Sequence, residues 1–104
     1  RSAAIYATMA GICGADSNNQ IGITGIAWNI KKFIYKVDDA DRAVGSADMA
    51  GAIGDAVSDT PSGEKLVINA SWAHDTDPSN ALEKACRMVD TKGAILCASS
   101  GNDG

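Results

Sequence analysis

No stretch of this sequence stays apolar for the roughly 18 residues of a membrane span, and its first residues have neither the charged nor the apolar region of a secretory leader. No membrane partner and no leader are therefore expected. Basic residues are scattered rather than clustered and the net charge is -4, which excludes the concentrated positive face that phosphate binding needs. No nucleic-acid partner is expected. Neither a G-x-G-x-x-G nor a Walker-type loop follows any strand pattern, so a flavodoxin-like or nucleotide-binding domain stays the weaker rival. The 3 cysteines, Cys13, Cys86 and Cys97, have neither metal-ligand nor C-x-x-C spacing, and an odd count leaves a thiol unpaired. They are expected to be small core residues.

What is present is ordinary for a soluble globular chain: 45% apolar and 21% charged residues over 104 positions, enough for one domain. Residues 2–14 carry Ile5, Met9 and Ile12 near helical spacing and end at Gly14, before a polar loop. Residues 32–37, rich in β-branched and aromatic side chains and followed by Asp38 and Asp39, predict a strand. A helix capped by Ser46 is expected through Ser58, with Met49, Ala50, Ile53 and Val57 on one face. A turn at 61–63 leads to a second strand, 66–71, apolar enough at its start to be buried on both faces. Asn80 and Glu83 predict a capping box; Leu82, Ala85, Cys86 and Val89 follow at i, i+3, i+4, i+7 until Gly93 closes the helix. Residues 94–98 form the third strand. The order αβαβαβ predicts an α/β domain over residues 1–104 with a parallel sheet in three layers, its helices covering the sheet faces. Ligands of such sheets gather at the carboxyl ends of the strands.

The strings Thr8-Met9-Ala10-Gly11-Ile12, Asn18-Asn19-Gln20-Ile21-Gly22-Ile23-Thr24-Gly25-Ile26-Ala27, Tyr35-Lys36-Val37, Val67-Ile68-Asn69-Ala70-Ser71 and Ser99-Ser100-Gly101-Asn102-Asp103-Gly104 recur in one order. In that order they resemble the central segment of the catalytic domain of subtilisin-like serine proteases. The resemblance implies peptide-bond hydrolysis by an Asp, His, Ser triad, with a backbone amide and an Asn side chain holding the oxyanion. Asn102 matches that Asn. It also implies that Ser71, Trp72 and Ala73 pair with a peptide substrate as an added strand, with Ser99, Ser100 and Gly101 as the opposite wall of the first pocket. Trp72 and His74 depart from the family pattern, toward a narrower cleft. The loop at 17–23 resembles the family's calcium loop, implying carbonyl ligands from Ser17, Ile21 and Ile23 and the side-chain oxygen of Asn19. The carboxylate completing that site belongs upstream. Asp38, Asp39 and Asp41 read instead as a solvated charge run.

The triad itself is missing from the pattern. Alignment from Ala10-Gly11 puts Ile5 or Tyr6 at the His position, and neither is a general base at neutral pH. The Asp is expected before Arg1 and the Ser beyond Gly104, while His74 falls across the groove from the oxyanion position. The chain alone is thus expected to be inactive, with a peptide or protein substrate and the remaining segments of such a domain as its partners. A stand-alone pseudoenzyme or peptide-binding module is the alternative. The sequon Asn69-Ala70-Ser71, expected in a buried strand, is not expected to be glycosylated.

Overall fold

The computed structural model describes residues 2–37, 45–72 and 80–101. Their elements, in order, are α1 (Ser2–Gly14), α2 (Ser46–Asp59), β1 (Val67–Ala70), α3 (Asn80–Lys92) and β2 (Ile95–Ala98). The chain divides into two compact units, Arg1–Ile34 and Tyr35–Gly104.

In the first unit the chain folds back on the end of α1. A helix leaves the carbonyls of its last turn without intrahelical donors, and here each of them is supplied with one. Ala15 N donates to Gly11 O at 2.9 Å, Ile26 N to Ile12 O at 3.0 Å and Ala27 N to Cys13 O at 2.9 Å. Lys32 Nζ donates to Gly14 O and reaches Asp16 at 3.2 Å. Its positive charge also suits the negative end of the helix dipole. Gly25 makes this return possible: its amide donates to Ala15 O at 3.1 Å, and a Cβ there would sit 2.3 Å from Ala15 N. Only glycine allows that approach.

The second unit is a helical layer on one face of a parallel sheet. β1 and β2 pair in parallel with Val67 opposite Ile95 and Ala70 opposite Ala98, joined by α3 as the crossover. Ile53 of α2 and Ala85 and Val89 of α3 form the buried centre, and Ala50, Val57, Ile68, Trp72, Leu82, Ala94 and Leu96 pack around it. Met49 and Ala56 are also buried, so the expected apolar stripe of α2 faces inward. The helix cap lies one residue before Ser46. Gly45 is the cap residue, and its amide donates to the Asp48 carboxylate at 3.1 Å. At the other end, Thr60 O accepts from Lys92 Nζ at 2.7 Å, which ties the ends of α2 and α3 together. Gly93 stops α3 as the sequence predicts, with φ +70. Gly93 N donates to Asp90 O at 2.9 Å and Ala94 N to Val89 O at 3.0 Å, the paired bonds of a Schellman motif.

Several expectations are corrected here. Residues 32–37 form no strand, and among the described residues the sheet has two strands. β-propensity is realised only against a ladder partner. In its place Tyr35 Oη donates to Asp59 at 2.9 Å and Val37 is buried, so side chains rather than a ladder hold this stretch of the second unit. β1 is not buried on both faces. Ile68 and Ala70 face the helices, whereas Val67 is 65% exposed and Asn69 lies open on the opposite face. The cysteines are not core residues either: all three are free and exposed. Cys97 shares the open face of the sheet with Val67 and Ile95, and Cys86 falls just outside the Ala85–Val89 stripe of α3. Asn80 is the first residue of α3 and Glu83 stands in its first turn, where its carboxylate also accepts from Arg87 at 2.8 Å on the exposed side of the helix; the residue before Asn80 lies outside the described residues. No helix of the described residues is long and apolar enough to cross a membrane.

Candidate functional site

Parallel pairing brings the carboxyl ends of β1 and β2 side by side, and five of the expected groove residues lie there. After Ala70 come Ser71, exposed, and Trp72, half-buried; after Ala98 come Ser99 and Ser100, exposed, and Gly101. Ala73 and Asn102 lie outside the described residues, as do His74, Asp38, Asp39 and Asp41. Ile5 and Tyr6 are on α1.

The two strand ends are joined by more than the ladder. Ser99 N donates to Ala70 O at 3.4 Å, continuing the sheet by one bond. Beyond it, Ser99 Oγ donates to Trp72 O at 2.9 Å, a bond from one strand end to the other. At the end of β1, Asn69 Nδ2 donates to Ser71 Oγ at 2.8 Å. Asn69 and Ser71 are thus exposed and bonded to each other, not buried as the sequon reading assumed. The Trp72 indole packs against the Ile53–Ala85–Val89 centre. It therefore anchors the end of β1 to the core. Gly101 has φ +85, a left-handed conformation that a side chain resists, and it turns the chain directly before Asn102.

Among the described residues the two strand ends carry hydroxyls, amides and carbonyls but no charged side chain from Asn69 to Trp72 or from Ala98 to Gly101. The Ser99 crossing bond was not foreseen. The available signal was a hydroxyl residue at a strand end, where a neighbouring carbonyl needs a donor.

The loop at 17–23 is wound tightly. Asn18 and Gln20 both have φ 59 and Gly22 has φ 64, so every second residue is left-handed. Non-glycine residues in that region hold strain and cluster where a loop has a task. Asn19 Oδ1 accepts from Ile21 N at 3.1 Å, and Ser17 Oγ donates weakly to Ala15 O at 3.5 Å. Asn19, Ile21 and Ile23 are exposed, Ile21 by 75% and Ile23 by 62%. The donor set is hard, neutral oxygen, the kind calcium takes, and a side-chain carbonyl with one bond keeps a second lone pair. Among the described residues no group of three or more His, Cys, Asp or Glu could hold a metal ion.

The family model described as "Subtilase family" matches residues 7–104. A "Thermophilic serine proteinase" of Bacillus sp. (strain AK1) is 33% identical over 96 residues, which cover 92% of this chain and 23% of that protein. The chain thus spans less than a quarter of the length of this curated relative. No solved structure matches it. The family match runs over nearly all of the sequence, and with the 33% identical relative it leads to one conclusion: the chain belongs to the subtilase family.

Proposed function

We propose that the chain is a segment of a subtilisin-like serine endopeptidase that supplies both walls of the substrate groove and the oxyanion Asn, but no residue of the triad. The observation that carries this reading is the bridged pair of strand ends, Ser71-Trp72 beside Ser99-Ser100-Gly101, with Ser99 Oγ 2.9 Å from Trp72 O. An extended peptide would lie along Ser71, Trp72 and Ala73 as an added strand, bonding through backbone groups. Ser99, Ser100 and Gly101 would form the facing wall of the first pocket.

Asn102 follows Gly101 in the sequence, at the end of the second wall. Its amide NH2 would donate to charge that develops on the carbonyl oxygen only as the tetrahedral species forms, so it would favour the transition state over bound substrate. The nucleophile and base would come from other segments of the protease, and further segments would cover the open sheet face as the third layer. Where calcium binds, the Ser17, Ile21 and Ile23 carbonyls and Asn19 Oδ1 would hold it. Bound there, the ion supplies positive charge that fixes the loop.

The isolated chain is expected to hydrolyse no peptide and to take up no serine-directed fluorophosphonate, because neither nucleophile nor base is in it. Covalent labelling of any of its serines, read by mass spectrometry, would refute this.

A further inference from the structure

We infer that Lys32 and a cation in the loop at 17–23 compete for the Asp16 carboxylate, so that Lys32 sets how readily the loop takes calcium; the inference rests on the calcium reading above. Asp16 is the sole acidic residue from Arg1 to Ile34, the whole of the first unit. It directly precedes Ser17, where the loop begins, and it is not among the ligands that the family resemblance implies. Those ligands, the Ser17, Ile21 and Ile23 carbonyls and Asn19 Oδ1, are all neutral. Calcium affinity rises with the charge of the ligand set, and within this unit Asp16 alone can raise it.

Asp16 is already engaged by a cation of the chain itself. Lys32 Nζ lies 3.2 Å from Asp16 Oδ1 and also donates to Gly14 O at the end of α1. The seat of Lys32 is shaped by Gly14: a Cβ there would lie 2.7 Å from Ile30 Cδ1 and 3.3 Å from Lys32 Cδ, so the bare glycine lets the lysine stem lie against the helix end. The ammonium keeps the Gly14 carbonyl and the negative end of the helix dipole as partners when Asp16 turns away. Asp16 itself is lightly held. Its side chain is 85% exposed, an exposed ion pair contributes little, and a change of rotamer releases the carboxylate without moving the backbone. A divalent ion in the loop therefore has only the attraction of Lys32 to overcome in drawing Asp16 to itself.

The test is calcium titration by calorimetry on the 104-residue chain, on Lys32→Met, on Asp16→Asn and on the double variant. The salt is set at about 0.15 M, where charges more than roughly 8 Å apart are largely screened. Methionine keeps an unbranched stem without the charge. Lys32→Met is expected to bind calcium about three- to fivefold more tightly than wild type, the range that release of an exposed ion pair supplies. Asp16→Asn is expected to bind about tenfold more weakly. In that background Lys32→Met should change affinity by less than about twofold, since no carboxylate is left to compete for. An equal gain from Lys32→Met in both backgrounds would show that Lys32 acts by its charge alone and would overturn the competition, leaving the calcium reading standing. Unchanged affinity in either single variant would overturn it as well, and should Lys32→Met not fold, Asp16→Asn decides alone. If wild type and Lys32→Met both fold and neither binds calcium, the calcium reading of the loop falls, and the inference with it.

Discussion

Replacing Gly25 by alanine should be the most damaging small substitution in the first unit. The added methyl carbon would lie 2.3 Å from Ala15 N, 2.5 Å from Gly14 Cα and 2.6 Å from Gly14 C. These are backbone atoms, so no rotamer change relieves the clash and the 25–27 segment must move off the helix end. Moving it breaks the bonds from Gly25 N to Ala15 O, Ile26 N to Ile12 O and Ala27 N to Cys13 O. Overpacking costs about 1–3 kcal/mol and each lost bond about 1 kcal/mol, partly recovered by water, so the total is about 3–5 kcal/mol. That is a large share of a small unit's stability. Gly11→Ala is the control: its Cβ would meet only the flexible end of Ile23 at 3.4 Å, and alanine gains about 1 kcal/mol of helix propensity. Urea unfolding, with amide exchange at Ile26 and Ala27, distinguishes the two. Gly25→Ala within about 0.5 kcal/mol of wild type, below the usual effect of a core change, would refute the close-approach argument.

Other expected outcomes follow from local geometry. Gly51→Ala meets nothing within 4 Å inside α2 and should stabilise the chain by about 0.5–1 kcal/mol in thermal melts. Gly93→Ala also meets nothing within 4 Å, yet its φ of +70 should make it destabilising by about 1 kcal/mol in the same assay. The Tyr35 phenol is held above its ordinary value of 10.0 by loss of water contact first and then by its bond to, and the charge of, Asp59. Neutral phenol is thus favoured in the folded chain, and the stability it contributes is whole below pH 10 and declines as pH rises through the folded value. In a Tyr6→Phe background, Asp59→Asn should shift the phenolate absorbance titration to lower pH; no shift would contradict the bond. Calcium is expected to raise the stability of the loop at 17–23 in the protein that carries the completing carboxylate, and Asn19→Ala to weaken calcium binding measured by calorimetry.

The helices and their order could be read from the sequence because their signals are local. Met49, Ile53 and Val57 repeat with the helix period, and Gly93 closes α3 through a positive φ that glycine meets without strain. β1 and β2 also announced themselves, since short apolar runs between turn residues have few other uses. The 32–37 stretch failed as a strand because pairing is a property of two segments, and its composition says nothing of whether a partner is in place. Cys86 and Cys97 failed as core residues for a related reason. Apolarity shows that a side chain can be buried, while the covering layer decides whether it is, and Cys97 is on the uncovered face with Ile95, itself 59% exposed. The positions of Ser71 and Trp72 after β1 and of Ser99 to Gly101 after β2 were legible as strand ends. The Ser99 to Trp72 bond was not, because it depends on a register, Ala70 beside Ala98, that only the paired sheet defines. The role of Gly25 was hidden in the same way, as a long-range approach to the end of α1.

Turnover in a repaired complex would show whether this chain brings the oxyanion Asn and the groove walls but no triad residue, as proposed above. The chain with His introduced at position 5 or 6 would be combined with the subtilase segments that bear the Asp and the nucleophilic Ser, and peptide cleavage compared with and without Asn102→Gly. The substitution is expected to lower kcat about a hundredfold or more while KM stays nearly constant, because the lost donor acts on charge absent from bound substrate. Equal kcat in the two complexes, both cleaving peptide, would contradict it.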